Sequence, residues 1–543
     1  MKRVLVLGGY GAFGSGVCER LHALGFTVLV AGRNLAKAEA FAAGRPGFTP
    51  VVADREGDLA GVLRQHRPWL LVDAAGPFQG LALRAPEACL AAGVHYVDFA
   101  DARDFVVRVR ALDARARAAG VALVSGASSV PALSGAVVRS LAADLDRVTA
   151  IEASISASNR ATVGPSVVTA ILSYVGRPFP LWRGRRWETV HGWSDLRRVV
   201  YAVPGWPPLG PRLVAQAEVP DLDLLPASRP ERPAVTFRAG AEFGLQNRAL
   251  QLLGALVRRR PSLDPRRLAP ALIAARRLTA GIGGDRSAMA VAVYGLKAGA
   301  RLERRWTLDA EQGCGPQLPC LAAPLVAAAI AEGRIGPGAS DASALLDLAD
   351  FEPAFATLPV HRAVDERQHP PPPHARVMGE RFNRLPPLVR AVHAGFGDSG
   401  FAGEATVTRG RHPLARLAAR VFGFPPAGER VPVHVRFTDE GAETRWTRDF
   451  AGRTFASAMR TADGLLIERF GPLRFGFALD SEPEGLAMRL QRWRLGPLPL
   501  PRFLAPGGTA REWEADRRFH FDVPIRLPLA GLVVHYRGWL QPL

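Results

Sequence analysis

Apolar runs and helical periods alternate through roughly the first 140 residues of this 543-residue chain. Val4 to Leu7 is a continuous apolar run that ends at glycine, the pattern of a strand buried on both faces. Val17, Leu21 and Leu24 follow at helical spacing. Thr27 to Ala31, Phe48 to Ala53, Trp69 to Ala74, His95 to Asp98 and Val121 to Val124 read as further strands. Leu59 to Arg64, Ala85 to Ala92 and Val106 to Ala119 read as helices between them. This βαβα order predicts an α/β fold with a Rossmann-type doubly wound parallel sheet, whose ligands sit beyond the carboxyl ends of the strands.

From about Thr149 the texture changes. Ile151 to Ser158 alternates like a strand of an exposed sheet. Val199 to Val203, Ala234 to Arg238, Met289 to Tyr294 and Arg301 to Leu308 are further strand candidates, with helices at Leu250 to Val257 and Leu268 to Leu278. An α+β partner domain is expected here. His369-Pro-Pro-Pro-Pro-His374 marks a linker, because a proline run resists helix and sheet. Beyond it short alternating segments dominate: Pro432 to Phe437, Glu443 to Phe450, Leu465 to Phe470, Phe475 to Leu479, Met488 to Leu495 and Phe519 to Val523. They predict a C-terminal, mostly antiparallel β domain with one or two helices, such as Leu385 to Ala394. The expected domains are 1–148, 149–366 and 375–543.

The loop after the first strand narrows the chemistry. Gly9, Gly11 and Gly14 supply a G-x-G-x-x-G spacing between a strand and a helix. The first glycine permits the tight turn, the second lets backbone approach a pyrophosphate, and the third lets helix and strand pack closely. The helix start then presents free N–H groups to phosphate. The second strand ends in Gly32-Arg33-Asn34. An acidic residue at that place would take a ribose hydroxyl, whereas the Arg33 guanidinium suits a 2′-phosphate. NADP is therefore expected as the cofactor in preference to NAD.

Composition changes little in this picture. Net charge is +19. The positive charge is nearly all arginine spread along the chain, which argues against nucleic acid as a partner. Arg183-Gly-Arg185-Arg186 and Arg258-Arg259-Arg260 are local basic clusters, the pattern of solvated faces. Cys18, Cys89, Cys314 and Cys320 have neither disulfide-framework nor zinc spacing, and no metal is expected. The chain opens directly on a strand and holds no apolar stretch of bilayer length, so a cytoplasmic protein without a transmembrane segment is expected. Peripheral membrane contact and homo-oligomerisation are left open.

Several stretches together resemble the saccharopine dehydrogenase-like family of NADP-binding proteins. They are Leu7-Gly-Gly-Tyr-Gly-Ala-Phe-Gly14, Ala31-Gly-Arg-Asn34, Asp73-Ala-Ala-Gly-Pro-Phe78 and Ala88-Cys-Leu-Ala-Ala-Gly-Val-His-Tyr-Val-Asp98. Gly283-Gly-Asp-Arg286 and Gly313-Cys-Gly-Pro-Gln-Leu-Pro319 extend the likeness to about residue 360. Residues 370–543 resemble a bacterial domain family of unknown function, through Trp446-Thr-Arg-Asp-Phe450 and Leu527-Pro-Leu-Ala-Gly531 with Tyr536. The resemblance implies hydride transfer to or from a small carbonyl- or imine-type substrate. Where the family often has Asp-Ser before the proline, this chain has Ser128-Ser129-Val130-Pro131, which argues against saccharopine itself.

The expected cofactor site comprises Gly9, Tyr10, Gly11, Ala12, Phe13 and Gly14 at the phosphate turn, Arg33 and Asn34 at the 2′-phosphate, Asp54 near adenine, and Ala75, Gly76, Pro77 and Phe78 beside ribose or nicotinamide. Asp54 serves equally well as a cap for the next helix. Tyr96 and Asp98, at the end of a short strand, are the candidate catalytic groups, with Ser129 behind them. Trp182, Trp187, Trp193 and Trp206 are candidates for an apolar pocket or for packing. The alternative to an oxidoreductase is a non-catalytic NADP-binding sensor or scaffold whose C-terminal domain binds a partner or lipid.

Overall fold

A computed structural model describes residues 2–161, 164–279, 281–440 and 443–543. Three sheets organise them. The first is parallel throughout: β1 (Arg3–Leu7), β2 (Thr27–Gly32), β3 (Phe48–Val52), β4 (Leu70–Asp73), β5 (His95–Asp98) and β6 (Ala122–Ser125) lie in the order β3-β2-β1-β4-β5-β6. Val4, Leu5 and Val6 are sealed from solvent, as a strand covered on both faces requires. A seventh strand, Gly338–Asp341, adds in parallel beyond β6. No apolar run announces it, since its sequence is Gly-Ala-Ser-Asp. The expected Val106 to Ala119 helix is broken into Arg103–Val109, a short 3-10 turn and Asp113–Ala118.

The second sheet is mixed. Arg147–Ala157 is its central strand, parallel to Ala234–Ala241 on one side and antiparallel to Ser287–Lys297 on the other. Its place in the middle corrects the expectation of an exposed sheet: Ile151, Ala153 and Ser156 are buried. Alternation in the sequence reflected small and polar residues packed inside.

The third sheet is antiparallel and closes. Ten strands follow one another around it from Asp398–Arg409 to Gly531–Pro542, and these first and last strands pair with each other. The result is an up-and-down barrel, which leaves no open edge. Its lumen is filled by aromatic rings, among them Phe437, Trp446, Phe450 and Phe455. The strands Asp398–Arg409, Arg453–Ala462, Ala510–Ala515 and Gly531–Pro542 had no distinct signal in the sequence.

The proline run between the second and third sheets is less of a spacer than its composition implies. Pro372, Pro373 and both flanking histidines are buried. His369 meets Glu303 at 2.9 Å, and His374 stacks on His393 with ring centres 3.8 Å apart. The Arg183–Arg186 cluster is a clasp and not a solvated face. Arg186 pairs with Asp449 at 2.9 Å, the Gly184 carbonyl meets His434 Nε2 at 2.7 Å, and Arg185 reaches the carbonyl of Leu543 at 2.6 Å. These contacts tie the hairpin of Pro178–Arg183 and Arg186–His191 to the barrel.

Candidate active site

The left-handed backbone of the turn falls at Gly8, one residue before the Gly9 expected to permit it. Gly8 has φ +72°, and a Cβ added at Gly14 would lie 2.0 Å from the Gly8 carbonyl oxygen. Only glycine lets the Gly14–Ala23 helix approach the turn this closely. Gly11 donates its N–H to Gly8 at 2.8 Å. The Tyr10 ring lies over Gly32, and its hydroxyl accepts the Asn34 N–H at 3.0 Å. Tyr10 thereby locks the turn to the end of β2.

These elements border a cavity of about 1230 Å³. A drug-sized ligand needs roughly 300–1,000 Å³, so the space exceeds that of one such molecule. Of the expected cofactor residues, Tyr10, Gly11, Ala12, Phe13, Arg33, Asp54, Ala75, Gly76, Pro77 and Phe78 line it. Gly9 and Gly14 lie behind the turn, and Asn34 caps the next helix by accepting the Lys37 N–H. Arg33 is exposed and forms no ion pair among the described residues. Asp54 accepts the N–H of Glu56, and the cap of the following helix falls to Asp58, which accepts from Gly61. The Gly315–Cys320 turn closes in from the other side, with Cys320 Sγ 3.3 Å from the Phe13 carbonyl.

Tyr96 and Asp98 do not line the cavity. Both are sealed within the first sheet. Asp98 accepts from the N–H groups of Ala100 (2.9 Å) and Gly126 (2.8 Å) and from Ser125 Oγ (3.0 Å). It ties the end of β5 to the end of β6. Burial pushes its carboxyl up to about 7, against the pull of those donors. The Tyr96 hydroxyl has no partner among the described residues, and burial raises it far above the usual phenol range. Alternation correctly puts the two on one face of β5, but that face is covered.

Other titratable groups do face the cavity. Arg55 lies over the Phe78 ring and bonds the buried Asp73 at 3.0 Å. Asp101, on the loop after β5, accepts from Gln79 at 3.0 Å. Tyr174, at the end of the Pro165–Tyr174 helix, lines the same wall with Glu218. Burial, then the charges of Asp101 and Glu218, hold the Tyr174 phenol above its ordinary range. Burial raises Glu218 as well, opposed by Arg103. Arg103 is itself held by Asp223 in a two-pronged contact. Sequence reasoning passed over these residues because Tyr174 and Glu218 meet Asp101 only in the folded chain. Arg55, one position past Asp54 at a strand end, was within reach of the motif.

Much of the remaining lining is apolar. Ile155, Val168, Trp193, Phe237, Leu253 and Met289 contribute to it. Of the four tryptophans considered, only Trp193 lines this cavity; Trp182 and Trp187 pair edge to face on the hairpin, and Trp206 packs on His361.

A parallel sheet of this order, with a glycine turn opening onto a cleft at its carboxyl edge, defines a dinucleotide-binding domain. Residues 4–124 match the family model of the saccharopine dehydrogenase NADP binding domain. Residues 385–540 match a domain of unknown function, DUF4166. The chain thus joins a segment that matches a saccharopine dehydrogenase-type NADP-binding domain to a barrel that matches DUF4166. Similar solved structures include apo saccharopine dehydrogenase (L-Glu forming) from Saccharomyces cerevisiae, 13% identical with a TM-score of 0.47 over 68% of this chain and 100% of that one. GenD2 from gentamicin A biosynthesis in complex with NAD is 14% identical, with a TM-score of 0.34 over 68% of this chain and 96% of that one. Gre2 from Candida albicans in complex with NADPH is 18% identical, with a TM-score of 0.16 over 18% of this chain and 36% of that one. No curated protein matches the chain.

Proposed function

We propose that the chain is an NADP-dependent oxidoreductase acting on a small, largely apolar carbonyl- or imine-type substrate. One observation carries the reading: a single cavity joins the glycine turn and the exposed Arg33, which has no ion pair among the described residues, to Tyr174 and an apolar lining. The turn's N–H groups and the start of the Gly14–Ala23 helix would hold a pyrophosphate. Arg33 would hold a 2′-phosphate, and Ala75 to Phe78 would flank the ribose and nicotinamide. When bound, the nicotinamide supplies or accepts the hydride.

The chain's own task is then to orient the substrate, exclude water and manage one proton. Tyr174 is our candidate donor, because its phenol stays protonated at neutral pH and borders the cavity. Asp101 and Glu218 would relay or hold the proton behind it. Tyr96 and Asp98 would position the end of β5. At Ser128 and Ser129 the cavity has hydroxyls and no carboxylate, which suits a substrate without the cationic group of an amino acid at that point.

Titration with NADPH and NADH tests the cofactor part. Wild type is expected to prefer NADPH, and Arg33→Ala to lose roughly 10- to 100-fold in NADPH affinity while NADH is unchanged, as for a charge-assisted hydrogen bond. Absence of binding by either nucleotide at millimolar concentration would sink the reading. For the proton, Tyr174→Phe is expected to slow NADPH consumption on a carbonyl and imine panel by about 100-fold or more without changing NADPH affinity.

A further inference from the structure

The mouth of the cavity has an unusual lip. Ala249, Leu272 and Ala275 line the cavity and are also exposed. They belong to the helices Gly244–Arg259 and Ala269–Thr279. The outer face of the first helix carries Leu245, 77% exposed, and Leu252, 72% exposed, with Leu256 one turn on. Leu268, at the end of the short 3-10 turn that leads into the second helix, and Ile282 beyond that helix are exposed as well. A water-facing helix normally turns charged residues outward, so a row of bare leucines around a cavity mouth marks a contact surface.

The charges around the lip say what it contacts. Residues 244–272 contain Arg248, Arg258, Arg259, Arg260, Arg266 and Arg267 against a single acid, Asp264. Asp264 is taken by Arg266 at 3.0 Å. Arg248, Arg258, Arg259 and Arg260 form no ion pair among the described residues. Leu245, Arg248, Leu252, Leu256 and Arg259 recur every three or four positions, which puts leucines and guanidinium groups on one stripe. The other basic cluster, Arg183–Arg186, is consumed by the barrel; this one faces water.

We propose that this lip seats on an anionic lipid surface, so that the cavity mouth opens onto the bilayer interface. Leucines would enter the headgroup boundary, and the arginines would meet lipid phosphates, the arrangement of interfacial helices. A second copy of the chain fits less well. Two-fold pairing would bring the same arginine cluster against itself. The proposal rests on the oxidoreductase reading only in giving the cavity a substrate, one that partitions into lipid. Docking itself is independent of turnover.

Sedimentation of the full chain with phosphatidylcholine vesicles, with and without phosphatidylglycerol, tests it. Binding is expected only with the anionic lipid and is expected to weaken as salt rises. Leu245→Ser with Leu252→Ser, and separately Arg258→Gln with Arg259→Gln and Arg260→Gln, should each cut vesicle binding about tenfold or more. Neither set lines the cavity, so NADPH titration serves as the folding control. Three results would overturn the proposal: no sedimentation by protein that binds NADPH, sedimentation indifferent to both variants, or a dimer that the leucine variant converts to monomer. Loss of NADPH binding by wild type would sink the oxidoreductase reading and leave the vesicle result to stand.

Discussion

The nucleotide region and the barrel both bury ionisable and aromatic side chains, yet they differ in the space beside those groups. Beyond the ends of β1, β2, β4 and β5 such groups surround a cavity of about 1230 Å³. In the barrel, His374, His393 and Trp446 stack around a void of about 10 Å³. His393 Nε2 meets Glu512 at 2.5 Å while its Nδ1 has no partner among the described residues, and Arg448 pairs with Glu468 at 3.2 Å, its guanidinium over Trp446 and Phe455. A buried charge is therefore a poor marker of function by itself. What separates the two regions is the room left for a ligand beside the buried groups.

That contrast can be broken most severely at Gly14. Gly14→Val would drive a side chain into the Gly8 carbonyl, and we expect NADPH binding to be abolished while the barrel strands keep their amide-exchange protection. Unchanged NADPH affinity in this variant would show that the turn is not the cofactor's cradle. Trp446→Ala should do the reverse. It removes a ring packed on Phe437, His374 and His393, at a cost of about 3–5 kcal/mol in denaturant unfolding, and leaves NADPH affinity alone. A shift of NADPH affinity beyond a few-fold would join the barrel to the site.

A smaller effect separates the regions by pH. Asp98 is pushed up to about 7, above its unfolded value near 4, so the folded chain holds a proton that the unfolded chain releases. Its contribution is full below about pH 4 and is lost as pH rises to about 7. His374 runs the other way. Burial, then the neighbouring His393, holds it well below the ordinary 6.5, so its contribution is present above that pH and is lost on acidification. Each proton is worth about 1.4 kcal/mol per pH unit within its window. Amide exchange followed from pH 4 to 8 should therefore show β5 and β6 loosening toward neutral pH and the barrel loosening toward acid. Asp98→Asn should flatten the first trend and His374→Phe the second. Parallel trends in both regions would contradict the assignment.

The nucleotide region was legible because its rules are local. A strand buried on both faces must be an apolar run, and β5 spans His95–Asp98 as its pattern indicated. Much of the glycine turn is equally local, since a Cβ at Gly11 or Gly14 would meet the Gly8 carbonyl a few residues away. The barrel was legible in kind but not in closure. Strands such as Arg453–Ala462 carry mixed faces, because the lumen accepts Ser457 beside Phe455 once Glu468 and Arg448 are in place. Tyr96 and Asp98 show the limit in the other direction. Their face of β5 follows from alternation, but a covering layer and not a cavity lies over it.

By itself, the sequence determined the doubly wound sheet, the glycine turn with Arg33 at the second strand's end, and the antiparallel character of the C-terminal region. These follow from periodicity, glycine sterics and residue type, all properties of short stretches of chain. Only the tertiary structure decided that Gly338–Asp341 completes the first sheet, that the barrel closes, and that one arginine cluster is a clasp while the other stays free. It also decided that Tyr174, Asp101 and Glu218 share a cavity wall. Those outcomes depend on which distant segments fill the space beside a residue, and no local pattern encodes the shape of its neighbours.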